Sequence, residues 1–266
     1  MPTTARRFTT RTASVLASLI VAGALSGCGL NLSLHAEARD EWKKSYEVAP
    51  GAELEIRAGN GTIRVESADI TTIEVVATRI VRASTDEAAK AALADFTIEE
   101  AATPAKVLLD AAKPMGVTIG LSRTAKFDVK VPRGLKVVLK ASNGEISAAG
   151  LDGDFQATTT NGTIAATEVG GAAQLASTNG TIRLDLVRVA DAGVTCETTN
   201  GTITVALPRD GAARISARVT NGGISTGDLP LQVTDQSRQR LEATLGKGGP
   251  VVRLETTNGM VSVKGR

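Results

Sequence analysis

Aromatic side chains are nearly missing from this chain: one Trp, one Tyr and four Phe make up 2% of 266 residues. Large interdigitated cores draw much of their bulk from such rings, so an ordinary enzyme fold is disfavoured. One histidine and two cysteines exclude a disulfide-stapled module and leave little for a histidine-based catalytic or metal centre. Neither sign of charge dominates, with Lys+Arg 30 against Asp+Glu 28. That balance excludes the basic surface of a nucleic-acid binder. Long hydrophobic runs are lacking too: Ala13 to Leu25 is uncharged and mostly apolar, but its 13 residues are too few to span a bilayer.

That short run has the layout of a secretory signal. Arg6, Arg7 and Arg11 precede it as a charged n-region, and it ends in Leu25-Ser26-Gly27-Cys28, small residues before a cysteine. The sequence resembles a bacterial lipobox, which implies removal of residues 1–27 and lipidation of Cys28. Subtracting the leader's three arginines from the formal net charge of +2 leaves −1 for the remainder. Gly29 and Leu30 follow the cysteine with no Asp of the inner-membrane retention type. The expected location is therefore the cell envelope, lipid-anchored, with the outer membrane favoured in a Gram-negative cell. Residues 28–45 are polar and aperiodic, and are expected to form a lipidated tether holding both His35 and Trp42. His35 has no second ligand or orienting carboxylate nearby in sequence.

Glycine, in contrast, is abundant, with 27 residues, and much of it sits in a repeat. The dipeptide Asn-Gly occurs seven times, at Asn60, Asn143, Asn161, Asn179, Asn200, Asn221 and Asn258, with spacings from Asn143 of 18, 18, 21, 21 and 37. The last spacing is close to two periods. The third residue after each Asn is Ile or Val in every copy, from Ile63 to Val261, and the fourth before is apolar, from Ile56 to Leu254. Apolar residues at alternate positions mark half-buried strands, and Asn-Gly supplies the backbone freedom a corner needs.

Two architectures share this pattern. In an antiparallel meander or sandwich each Asn-Gly is a hairpin turn, with Gly170-Gly171 as a return turn. In an all-β, single-stranded parallel β-helix, or β-solenoid, each period of about 18–21 residues is one coil and the seven asparagines are corners, stacked about 4.8 Å apart. A meander needs a covering layer, and no amphipathic helix follows Ser142. A solenoid closes on itself, and its narrow bore suits the small residues two before most Asn, such as Ala58, Thr159 and Ser177. The solenoid is the expected fold, with residues 143–266 its regular part. Residues 46–142 form a less regular β-rich part, with a short helical insertion near 86–94 capped by Thr85 and strand pieces at 106–109, 117–119 and 126–131.

Thr-Asn-Gly-Thr-Ile at 160–164, 178–182 and 199–203, with Val131-Pro132-Arg133-Gly134 ahead of the regular coils, resembles the bacterial adhesin-type repeat family DUF4097/head-GIN over about residues 45–264. The resemblance implies a secreted or membrane-anchored β-solenoid and brings no catalytic motif.

The remaining motifs offer little chemistry. Asn60, Asn161, Asn179 and Asn200 match the N-glycosylation sequon, but stacked asparagines at corners account for them through a hydrogen-bonded ladder. Cys196 shares the inward phase of Leu175 and Leu254 and is expected to be a buried small hydrophobe, far from any base. Asp152-Gly153-Asp154 lacks the repeat of calcium-binding β-rolls, and Lys247-Gly248-Gly249 lacks the rest of a phosphate loop. The positions four after each Asn, from Arg64 to Ser262, hold no acidic column of the kind a polysaccharide lyase or hydrolase uses. No cofactor or metal site is expected. The sequence points to a non-catalytic, lipid-anchored envelope protein for adhesion or partner binding. Its expected partners are the membrane, through the lipid, and an envelope protein or surface ligand. The alternatives are an envelope-stress regulatory component, a polymer-forming scaffold and, as a minor reading, a polysaccharide-acting β-helix enzyme.

Overall fold

The computed structural model describes residues 36–112 and 120–266. The leader, Cys28, His35 and the strand piece at 117–119 lie outside them. The described residues form one sheet system of sixteen strands with one helix. In chain order the strands are β1 (Ala36–Glu47), β2 (Glu53–Ala68), β3 (Thr72–Ala83), β4 (Glu99–Thr103), β5 (Lys106–Ala111), β6 (Leu121–Pro132), β7 (Lys136–Ala149) and β8 (Phe155–Asn161). They continue as β9 (Ile164–Val169), β10 (Ala173–Asn179), β11 (Ile182–Leu186), β12 (Val194–Leu207), β13 (Ala213–Thr226), β14 (Leu231–Gln236), β15 (Arg240–Leu245) and β16 (Val251–Gly265). Helix α1 (Asp86–Ala94) follows β3, and the Thr85 side chain accepts from the Ala88 N–H at its start.

The architecture is a β-solenoid. β2, β7, β8 with β9, β10 with β11, β12, β16 and β13 stack as coils in that spatial order, each parallel to the next. Parallel pairing of successive coils rules out the meander, in which neighbours would be antiparallel. At each Asn-Gly the chain passes from one face of the coil to another. Glu53 to Ala58 of β2 pairs with β5, whereas Gly61 to Ala68 of the same strand pairs with β6.

Alternation fills the bore. Leu139, Ala157, Leu175, Cys196 and Leu254 occupy successive register positions before the corner, and Ile146, Ile164, Ile182, Ile203 and Val261 occupy them after it. All ten are buried. Four-carbon Ile side chains and Val261 on one side face Leu, Ala and Cys on the other, so a narrow bore closes without aromatic bulk. The glycine after each Asn answers to close approach. A Cβ on Gly162 (φ +151°) would lie 1.8 Å from the Gly144 carbonyl oxygen of the neighbouring coil, and one on Gly144 (φ +139°) 1.7 Å from that of Gly61.

Two expectations are corrected. Residues 28–45 were expected to be a tether, but from Ala36 onward they form β1, which runs antiparallel to β3 from Ala36↔Ala83 to Glu47↔Thr72. Trp42 and Tyr46 pack against the core. The strand is hidden in the sequence because Asp40 and Lys44 share the phase of Trp42 and Tyr46. Asp40 is tolerated there because Arg79 pairs with it through Nε at 2.9 Å and again through Nη2. The 37-residue spacing after Asn221 is also not two coils. The chain leaves β13, forms the antiparallel hairpin β14–β15 beside it, and returns as β16 between β12 and β13. The last coil in sequence is therefore the next-to-last in space.

One end of the stack is extended on both faces and the other on its pre-corner face. At one end β1 and β3 extend one face, β5 and β4 extend the other, and α1 packs on β1 and β3. At the opposite end the β14–β15 hairpin covers the pre-corner half of β13, and a register irregularity between Val233 and Asp235 roughens its outer strand, a usual protection for a sheet edge.

Candidate functional site

The seven corner asparagines form one line. Each Nδ2 donates to the Oδ1 of the next, in the order Asn221, Asn258, Asn200, Asn179, Asn161, Asn143, Asn60, at 2.8–2.9 Å. Asn60 ends the line on the Arg123 carbonyl oxygen at 3.3 Å. The side-chain nitrogens in the four sequons are thus engaged as donors. The ladder lies on the exposed side of the corner and pins the register of every coil, because a shift by one residue would break two bonds per rung.

Beside the ladder, on its pre-corner side, lies an open groove of about 670 Å³ that crosses β8, β10, β12, β16 and β13 and reaches β15. Its exposed row is Thr178, Thr199, Thr257 and Thr220, one threonine immediately before each asparagine. Behind that row, Thr159 and Ser177 share the inward phase of Ala157 and Leu175; both are buried, and their hydroxyls have no hydrogen-bond partner. Their counterparts one and two coils on, Thr198 and Thr256, reach only the Gly180 and Gly201 carbonyl oxygens at 3.5 and 3.4 Å. The charged lining residues are Glu197, Glu255, Arg218 and Arg240, two of each sign. Glu255 meets Arg253 at 3.5 Å, and Arg240 meets Asp235 and Glu242 at 3.2 and 3.5 Å. Nothing in the composition of single strands marks this groove. The signal was the threonine recurring before five of the seven asparagines, from Asn161 to Asn258, a repeat feature that alignment on Asn displays.

A second charged cluster lies at the other end of the same face. Glu55 of β2 is 4% exposed, and its carboxylate accepts from Arg57 at 2.7 Å, Lys106 at 2.8 Å and Lys140 at 3.0 Å. Burial alone would raise its pKa, but these three cations outweigh that and bring it from 4.5 to about 2. Such a satisfied network ties β2, β5 and β7 together and offers no free acid or base.

Cys196 is fully buried, and desolvation, with a smaller contribution from the Glu197 charge, pushes its thiol well above the ordinary range. It is therefore a poor nucleophile. Asp152 and Asp154 are exposed, and no three His, Cys, Asp or Glu residues among the described ones come together to hold a metal ion. Lys247-Gly248-Gly249 forms the turn from β15 to β16, with the Gly248 N–H on the Leu245 carbonyl at 3.1 Å. Among the described residues no helix is long and apolar enough to cross a membrane.

A family model described as Toastrack DUF4097 matches residues 52–264. No curated protein matches the chain. Solved structures similar to it include a "putative cell adhesion protein" from Clostridium sporogenes, 13% identical, with 85% of this chain and 100% of that one covered at a TM-score of 0.40. A "putative adhesin" from Bacteroides fragilis is 15% identical, covering 85% and 97%, at 0.39. A "putative lipid binding protein" from Parabacteroides distasonis is 12% identical, covering 85% and 97%, at 0.25.

Proposed function

We propose, from the premise that this chain belongs to the DUF4097 Toastrack family, that it is a non-catalytic envelope protein, held by a lipid on Cys28, whose solenoid flank binds a surface ligand or envelope partner. The observation that carries the reading is the groove across five coils, hydroxyl-rich and evenly charged. A catalytic cleft gathers perturbed acids, bases or nucleophiles. Here the strongly shifted carboxylate, Glu55, is locked among three cations, and the thiol of Cys196 is sealed in the bore. The strands beyond β2 and the hairpin on the pre-corner half of β13 favour the flank over end-to-end polymerisation as the working surface, since they occupy positions that a further coil would take.

The test joins anchoring to binding. In the native cell, Cys28→Ala is expected to release the protein from membranes or leave its leader uncleaved, and a strain lacking the gene is expected to attach less well to its surfaces or to lose contact with a partner captured by the wild type. Wild-type fractionation and processing of Cys28→Ala would remove the anchor. Unchanged attachment and no captured partner would remove the binding role.

A further inference from the structure

From the end of the asparagine ladder we infer that Asn221 is a site of spontaneous deamidation, converted to aspartate and isoaspartate in the folded protein while the other six Asn-Gly corners are protected. In an Asn-Gly pair the backbone nitrogen of the glycine attacks the side-chain amide with little hindrance, because glycine places no side chain in its way. The fold decides which of these pairs reacts. The other six side chains are each held on both sides. Asn258, Asn200, Asn179, Asn161 and Asn143 donate to one neighbour and accept from another, and Asn60 accepts from Asn143 and donates to the Arg123 carbonyl. Asn221 is exposed and donates to Asn258 at 2.9 Å, but its Oδ1 accepts from no group among the described residues.

The attacking nitrogen differs at this corner too. Gly162 gives its N–H to the Asn179 carbonyl at 3.0 Å and Gly180 gives its own to the Asn200 carbonyl at 2.9 Å, so the glycine of one coil is tied to the asparagine of the next. Gly222 keeps the same register, opposite Gly259, with φ +148° against +151° at Gly162. Its N–H therefore points away from β16, where no further coil lies. The hairpin pairs with β13 only from Ala213 to Arg218, and past it the Gln239 and Arg238 carbonyls take the N–H groups of Val219 and Ile224, not that of Gly222. Gly223 adds freedom. The residue after the pair is Thr, Glu or Met at the other corners, and two successive glycines let the backbone swing toward the geometry of attack. Such an opening at Asn221 breaks one side-chain bond, whereas at an inner rung it breaks the bonds on both sides and the glycine's as well.

The reaction needs only water. The Gly222 nitrogen, its proton passed to solvent, bonds to Cγ of Asn221; the Cγ–Nδ2 bond breaks, and Nδ2 takes a proton from solvent and leaves as ammonia. The product is a cyclic imide. Water then opens it at Cγ, which restores the main chain and leaves aspartate, or at the α-carbonyl carbon, which leaves isoaspartate with the main chain routed through Cγ. For each residue converted one water enters and one ammonia departs, with no oxidation or reduction. Aspartate has no donor to offer the Asn258 Oδ1, so the terminal rung is lost, and the new negative charge stands next to Thr220 at the end of the groove. The bonds from Asn258 onward are untouched.

The experiment incubates the purified full chain in detergent and mildly alkaline buffer and follows every Asn-Gly pair by peptide mapping with mass spectrometry. The same chain in urea, where no fold protects it, gives the reference rates. Asn221 is expected to convert in the folded protein at least tenfold faster than any other corner, with isoaspartate among its products, while in urea the rates lie within a few-fold of one another. Asn221→Gln is expected to remove the main acidic band that grows on isoelectric focusing, and matched thermal unfolding keeps loss of fold out of that comparison. Amide hydrogen exchange of the wild type is expected to be at least tenfold faster at Gly222 than at Gly162 and Gly180. Equal rates at all corners of the folded protein, faster conversion at an inner corner, no conversion of Asn221 over a time that completes it in urea, an acidic band that persists in folded Asn221→Gln, or a Gly222 amide as protected as that of Gly180 would each overturn the assignment.

Discussion

Asn258 donates its side-chain amide to Asn200 at 2.8 Å, across 58 residues of sequence. The two are neighbours because β16 lies between β12 and β13, and the ladder passes through Asn258 before it reaches Asn221. A chain that stacked its coils strictly in order would put Asn221 against Asn200 instead.

That difference can be trapped covalently. Thr204 pairs with Ser262, and Ser262 in turn with Ser225. Thr204 and Ser225 are thus two strands apart, about 9.6 Å, beyond the ~7 Å reach of a disulfide. In a Cys28→Ser, Cys196→Ser background, Thr204→Cys with Ser262→Cys is expected to cross-link within one chain under mild oxidation, and Thr204→Cys with Ser225→Cys is not. The reverse result on non-reducing gels would restore sequential stacking.

The solenoid was legible in the sequence because its evidence is repeated. Ile63, Ile146, Ile164, Ile182, Ile203 and Val261 stand at one offset from Asn and are buried, while Ile224 at the same offset in the last coil is half-buried. The order of the coils was not legible, since Asn221 and Asn258 satisfy the same pattern wherever they stack. β1 escaped notice for a different reason. Its inner phase carries Asp40 and Lys44, whose charges are met by Arg79 and by Glu100 on strands distant in sequence, and a polarity pattern cannot anticipate a partner it does not contain. The groove lies between these cases. Its threonines were visible as a column, but their meeting with Arg218 and Arg240 at one end depends on the insertion of β16 and on the hairpin.

The glycines after the asparagines should be intolerant of any side chain. Gly162→Ala would place Cβ 1.8 Å from the Gly144 oxygen at φ +151°, so backbone on two coils must move. A loss of at least ~3 kcal/mol, or failure to fold, is expected. Gly59, whose added Cβ meets nothing nearer than 3.8 Å, is the control, and Gly59→Ala should change stability by less than about 1 kcal/mol. Denaturant titrations of the two proteins make the comparison, and similar midpoints would refute the close-approach account.

Burial in the bore predicts opposite outcomes for adjacent residues. Ile182 is fully buried and Arg183 exposed. Ile182→Asp leaves an unpaired carboxylate among the isoleucines of the neighbouring coils and should cost on the order of 4 kcal/mol or prevent folding. Arg183→Asp should stay within about 0.5–1 kcal/mol. Thermal unfolding of both variants reads the difference, and equal losses would mean that the strand phase is inverted.

Glu55 supplies a pH signature. Its carboxyl titrates near 2 in the folded protein against an ordinary 4.5, held down by Lys106, Arg57 and Lys140 despite its burial. Because the folded value is the lower one, its contribution is fully present above about 4.5 and is lost as pH falls toward 2. Glu55→Gln removes the negative charge while leaving three cations clustered around a neutral amide, so it should destabilise the protein at pH 7. The gap between wild type and variant should then narrow steadily between pH 4.5 and 2, because the wild-type carboxyl becomes neutral as well. Denaturant midpoints measured at pH 7, 4.5, 3.5 and 2.5 test this. A gap that stays constant over that range would mean that the variant loses packing or hydrogen bonding alone, and that the ion cluster does not join β2 to β5 and β7 as the geometry indicates.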